Sequence, residues 1–189
     1  MTDAASFEPN STADNDFLSA WSGEGSLEIA TEKLQGRHRR ISASISIPCS
    51  VEQLWEILTD YERLADFIPN LTVSRCIEKS ETRTLLEQVG TQCFLNMQFC
   101  ARVVLDMVEQ FPHRIGFSMI EGDFKLFEGA WYLQPDATSS EEQTRLLYEV
   151  TICAPRAIPT VLIERHLKRD LTQNLQAIRQ HTVATADLV

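Results

Sequence analysis

Residues 44–71 read SISIPCSVEQLWEILTDYERLADFIPNL, and the order of signals in this stretch decides the fold. Ile41, Ala43, Ile45 and Ile47 alternate with Ser42, Ser44 and Ser46, the period of two that marks a strand with one buried face. Pro48 ends that strand, because its ring removes the amide hydrogen a ladder needs. Ser50 has a side chain suited to capping a helix. Val51, Leu54, Trp55 and Leu58 follow at helical spacing, so a short amphipathic helix is expected to about Asp60. A second helical turn over residues 61–66 runs into Phe67, Ile68, Pro69 and Asn70. Pro69 confines Ile68 to extended geometry and so presents that side chain in a defined direction.

From residue 71 the period stays at two, with turn signals between the apolar runs and no helix among them. Six strands are expected, over residues 71–79, 83–90, 93–110, 113–121, 124–134 and 143–153. Without helical crossovers their pairing is antiparallel. Leu95, Met97, Phe99, Ala101, Val103, Leu105 and Met107 keep one phase, as do Ile115, Phe117 and Met119. Arg102 and Asp106 fall on the opposite phase, where a surface ion pair is expected between them. After Pro155 and Pro159 a long helix runs to about His181, with Ile163, Leu167, Leu171, Leu175 and Ile178 in one stripe and Glu164, Arg165, Lys168, Arg169 and Asp170 on the other side. The result is an α+β fold, a seven-stranded antiparallel sheet with one apolar face that only the terminal helix is long enough to cover. A strongly twisted sheet curled round one helix leaves an elongated apolar cavity.

The chain has 189 residues and is 43% hydrophobic, enough for one developed core. Three segments are expected: a disordered acidic tail over 1–36, a ligand-binding domain over 37–182 and a short C-terminal tail over 183–189. Within the first, Phe17, Leu18 and Trp21 sit at helical spacing and could dock on a partner or on the protein's own groove. The formal charge of −10 argues against nucleic acid, which demands a basic surface. Seven acids against Lys33 put much of that charge in the tail, and a protein partner recruited through it is a further expectation. No apolar run approaches the roughly 20 residues of a membrane span, and the first residues lack a secretory pattern. A cytoplasmic protein, at most peripheral to a membrane, is therefore expected. Cys49, Cys76, Cys93, Cys100 and Cys153 form no C-x-x-C pair and have no histidine at metal-ligand spacing, so structural thiols and neither metal nor cofactor are expected.

Three stretches carry a resemblance: residues 44–71 quoted above, FEGAWYLQP at 127–135 and LLYEVTICAPRAIPTVLIERHLKRDLTQNLQAIR at 146–179. Together they resemble the START-like helix-grip superfamily, specifically its polyketide cyclase/dehydrase and coenzyme-Q-binding branch, including members from cyanobacteria and chloroplasts. The likeness spans about residues 37–181. It implies a sheet that grips the C-terminal helix and holds a hydrophobic ligand, such as a lipid, a sterol, a polyketide or an isoprenoid quinone, in the space between.

On that footing the expected cavity residues are Leu95, Met97, Phe99, Phe117, Met119, Trp131, Tyr148, Leu167, Leu171 and Asn174, with Phe67, Ile68 and Pro69 at the rim as a gate or as packing. No catalytic residue is assigned. The chain has no G-x-S-x-G, H-E-x-x-H, phosphate-loop or dinucleotide pattern, and His38, His113, His166 and His181 are expected to face solvent. The leading expectation is a non-enzymatic carrier of a hydrophobic small molecule, with transient membrane contact during transport. The alternatives are a cyclase/dehydratase acting on a polyketide or isoprenoid, and a protein-interaction module with a collapsed cavity.

Overall fold

The computed structural model describes residues 27–80, 83–94, 97–137, 142–153, 155–156 and 159–186. Strand β1 (Glu28–Lys33) is followed by β2 (His38–Ile47), helix α1 (Val51–Thr59), a 3-10 turn (Tyr61–Arg63) and the short helix α2 (Leu64–Phe67). Six strands come next: β3 (Leu71–Lys79), β4 (Thr84–Phe94), β5 (Met97–Gln110), β6 (Arg114–Gly122), β7 (Leu126–Pro135) and β8 (Thr144–Cys153). Helix α3 (Thr160–Ala186) ends the chain's regular structure.

The turn into α1 forms as its residues dictate. Ser50 Oγ accepts from the Gln53 amide at 3.2 Å while Gln53 Oε1 accepts from the Ser50 amide at 3.1 Å, a reciprocal cap. Losing such a cap costs about 1 kcal/mol. Val51, Leu54, Trp55 and Leu58 all point into the core.

The strands form a single antiparallel sheet in the order β1-β2-β8-β7-β6-β5-β4-β3. Consecutive strands from β3 to β8 pair as neighbours, and β8 then returns to β2, with Ile47 opposite Thr144 and His38 opposite Cys153. The sheet has eight strands, one more than the seven expected. The additional strand, β1, lies in the stretch assigned to the acidic tail. Only two of its six residues are apolar, so it carries little signal of its own. It is held by its ladder to β2 and by Leu27 and Ile29 against the core. The rest of the expected tail, with Phe17, Leu18 and Trp21, lies outside the described residues. At the other end α3 runs past residue 182 to Ala186.

Pairing on both edges also changes β2. Its serines were expected to face water, yet Ser42, Ser44 and Ser46 are nearly as buried as Ala43 and Ile45 between them. With β1 on one edge and β8 on the other, these short side chains are shielded by longer neighbours, and Ser46 donates to the buried carboxylate of Asp136. On the outward face of β3 to β6, Glu87 takes both Arg75 and Arg102, and Arg102 also reaches Glu121 at 2.5 Å. Asp106 pairs with Arg83 at 3.1 Å. The expected Arg102–Asp106 pair does not form, because each finds an opposite charge on an adjoining strand or turn instead of along β5.

Helix α3 packs across β2, and its last turns touch α2, where Phe67 stacks on His181 with ring centroids 4.0 Å apart. Ile41, Ile47, Leu54, Ile115, Leu175 and Ile178 are fully buried in one continuous cluster. Each contributes about 1.5–3 kcal/mol from removal of apolar surface from water.

Candidate functional site

Between the inward face of the sheet and the first half of α3 lies a cavity of about 480 Å³. That size falls within the usual range for small-molecule pockets. Its wall is built from the phase of β5 that the alternation marks, Ala101, Val103, Leu105 and Met107, together with Leu86 from β4 and Ile115 and Phe117 from β6. Strands β7 and β8 add Phe127, Trp131, Tyr148 and Val150. Leu58, Tyr61 and Leu64 close the side formed by the short helices.

One end is aromatic. Trp131 and Tyr148 are opposite one another in the β7–β8 register with ring centroids 4.0 Å apart, and Phe117 stacks 5.7 Å from Tyr148 and 5.6 Å from Phe127. Gly129 makes this packing possible. A side chain there would meet the Glu149 carbonyl oxygen at 2.0 Å and the Phe117 ring at 2.8 Å. Burial alone drives the Tyr148 phenol above its ordinary pKa, so it stays protonated at any physiological pH. Burial, followed by its hydrogen bond to Glu109 at 2.7 Å, acts the same way on Tyr61.

The other end is polar. Residues 68–70 form one lip, with Ile68, Pro69 and Asn70 on the cavity wall. Helix α3 contributes Leu162, His166, Asp170 and Asn174 to the wall, a row spaced by four residues whose last member meets the lip. With its amide nitrogen turned toward these acceptors, Asn174 donates to the carbonyls of Asp170 and Pro69 at 3.2 Å each. Asn70 donates to Gln173 at 3.4 Å and adopts a left-handed backbone, φ 65°, which asparagine tolerates better than most residues.

Of the residues singled out from the sequence, the structure brings Phe117, Trp131, Tyr148, Leu167, Leu171, Asn174, Ile68 and Pro69 onto one cavity wall. Met119 instead packs against the core beside it, and Phe67 lies against His181. The side chains of Leu95, Met97 and Phe99 lie outside the described residues. His166 was expected to face solvent and lines the cavity. The apolar stripe of α3 runs from the cavity wall at Leu167 and Leu171 into packed core at Leu175 and Ile178, and the row one position before it, containing His166 and Asp170, also lines the cavity. Gln88 and Leu86 were also missed, because β4 mixes polar and apolar residues on its inward phase.

Among the described residues no three His, Cys, Asp or Glu side chains gather in a way that could hold a metal ion, and no helix is long and apolar enough to cross a membrane. Cys49, in the turn after β2, is buried. Burial, and after it the charge of Glu142, push its thiol up to about 11, which leaves it almost wholly un-ionised and unreactive at neutral pH.

The profile of the family described as polyketide cyclase / dehydrase and lipid transport matches residues 47–179. The ribosome association toxin RatA of Vibrio cholerae is 24% identical over 112 residues, 59% of this chain and 75% of RatA. Among solved structures, a STAR-related lipid transfer protein from Xanthomonas axonopodis superposes with a TM-score of 0.67 at 14% identity, covering 86% of this chain and 96% of the other. The Zhui aromatase/cyclase of a Streptomyces species superposes with a TM-score of 0.65, also at 14% identity, covering 77% of this chain and 93% of that one. At these identities the two structures share the helix-grip fold.

Proposed function

The chain belongs to the polyketide cyclase / dehydrase and lipid transport family, and on that premise we propose that it binds one hydrophobic small molecule, a lipid, an isoprenoid quinone or a related compound, for transport or sequestration. The observation that carries this reading is the cavity itself: about 480 Å³, walled mostly by apolar and aromatic side chains. Affinity comes from apolar ligand surface leaving water, at about 25 cal/mol per Å² before the cost of association is subtracted. A cavity of this size argues against the collapsed-cavity alternative.

Binding is favoured over catalysis by the chemistry of the wall. General acid–base work needs a proton donor and a matched base within reach of the same reacting atom. The Tyr148 phenol is held protonated, and no basic side chain among the described residues hydrogen-bonds to it. At the lip, Asn70 is engaged with Gln173 and Asn174 with two backbone carbonyls, contacts that suit closing it. The surface that meets a donor or acceptor, membrane or protein, is on this reading the face around residues 68–70.

Native mass spectrometry of the purified full chain, followed by extraction of any bound compound, tests the proposal. One apolar adduct per chain is expected. A chain that is reproducibly empty and takes up neither a quinone nor a phospholipid would overturn it.

A further inference from the structure

The described cavity wall contains eight side chains with polar hydrogen-bonding atoms, and six of them are engaged. Tyr61 bonds Glu109, Gln88 bonds Ser74, Asn70 bonds Gln173, and Asn174 bonds two carbonyls. His166 and Asp170 also have partners. The exceptions are the Trp131 indole N–H and, deeper in the wall, Tyr148, which is 8% exposed, lies against the Trp131 ring and has no hydrogen-bond partner for its hydroxyl among the described residues. The hydroxyl is not among the fully enclosed unpaired atoms, so it opens onto the cavity, where a bound molecule can reach it.

We propose that the Tyr148 hydroxyl donates a hydrogen bond to the carbonyl oxygen of a flat, neutral ring seated among Phe117, Phe127 and Trp131. The inference rests on the cavity-binding function and adds the chemistry of the ligand's inner end. Planarity follows from the wall, since its clustered aromatic rings present faces and edges to the cavity against which a conjugated ring packs in offset or edge-to-face contact. Neutrality follows from the absence of Lys or Arg from the described wall, so a carboxylate or phosphate would be buried without a counter-charge. A carbonyl is favoured over a hydroxyl because it only accepts. A hydroxyl would bring a second donor into a region that offers it no acceptor but the phenol.

The test compares two probes of matched shape, 2-acetylnaphthalene and 2-isopropenylnaphthalene, on the full chain and on Tyr148→Phe. The wild-type protein is expected to bind the ketone about tenfold more tightly than the hydrocarbon. Tyr148→Phe is expected to lose that preference, and an unchanged melting temperature shows that the fold is intact. The infrared carbonyl stretch of the bound ketone shifts to lower frequency in the wild type and returns in the variant. A wild-type protein that binds both probes equally, or a variant that keeps the preference, overturns the assignment of Tyr148 alone. Failure of both probes to bind the wild type overturns the cavity-binding reading along with it.

Discussion

Helix α3 has two halves that do different work. Toward its end, Leu175 and Ile178 have no exposed surface, and Thr182 is buried with its hydroxyl bonded to the Ile178 carbonyl at 2.8 Å. Toward its start, Leu162, His166, Leu167 and Asp170 face the 480 Å³ cavity. The same helical period serves both, but only one half meets close-packed neighbours. Stability is thus concentrated in one half and vacant space is kept beside the other.

The sharpest way to break this division is to truncate one leucine in each half. Leu175→Ala opens a hole in packed core and is expected to cost about 2–5 kcal/mol in urea denaturation. Leu167→Ala enlarges a space that already exists and is expected to cost less than about 1.5 kcal/mol, with the loss appearing mainly as weaker uptake of apolar probes. Equal losses of stability would mean that the cavity half is packed as tightly as the other.

The smallest expected effect concerns the outward face of the sheet, where charge replaces packing. The hydrogen bond from Arg102, then that from Arg75, holds the Glu87 carboxyl below the usual carboxylate range. A carboxyl depressed in the folded state adds stability above its unfolded pKa of about 4.3, and that stability is lost as pH falls from there through the lowered folded value. Glu87→Gln is therefore expected to melt slightly below the wild type at pH 7, with the gap closing as the pH drops below about 4. A Tm difference independent of pH would assign Glu87 a packing role only.

The parts of the fold legible from sequence are those whose signal is local. The isoleucine and serine alternation of β2, the Ser50 cap and the apolar spacing of α1 each dictate an element from its own residues. Strand β1 was hidden because Glu28, Glu32 and Lys33 dominate a six-residue segment whose order comes from pairing with β2. The cavity was legible in its apolar part for the same reason that the strands were: a phase of two tells which side chains share a face. Its polar mouth was not. Whether His166 and Asp170 meet solvent or a cavity depends on how far the sheet curls round the helix, which no spacing within α3 encodes.

The lip of the cavity is fastened unevenly. Phe67 stacks on His181, in the packed half of α3, whereas Pro69 and Asn70 are tied to Asn174 and Gln173 by side-chain hydrogen bonds. Water can replace those bonds at a net cost of about 1 kcal/mol each, but it offers nothing comparable for a ring lifted off another ring. The lip thus has one glued edge and one wetted edge, and because Ile68 between them belongs to the buried core cluster, any movement of residues 68–70 draws on the same packing that holds the protein folded.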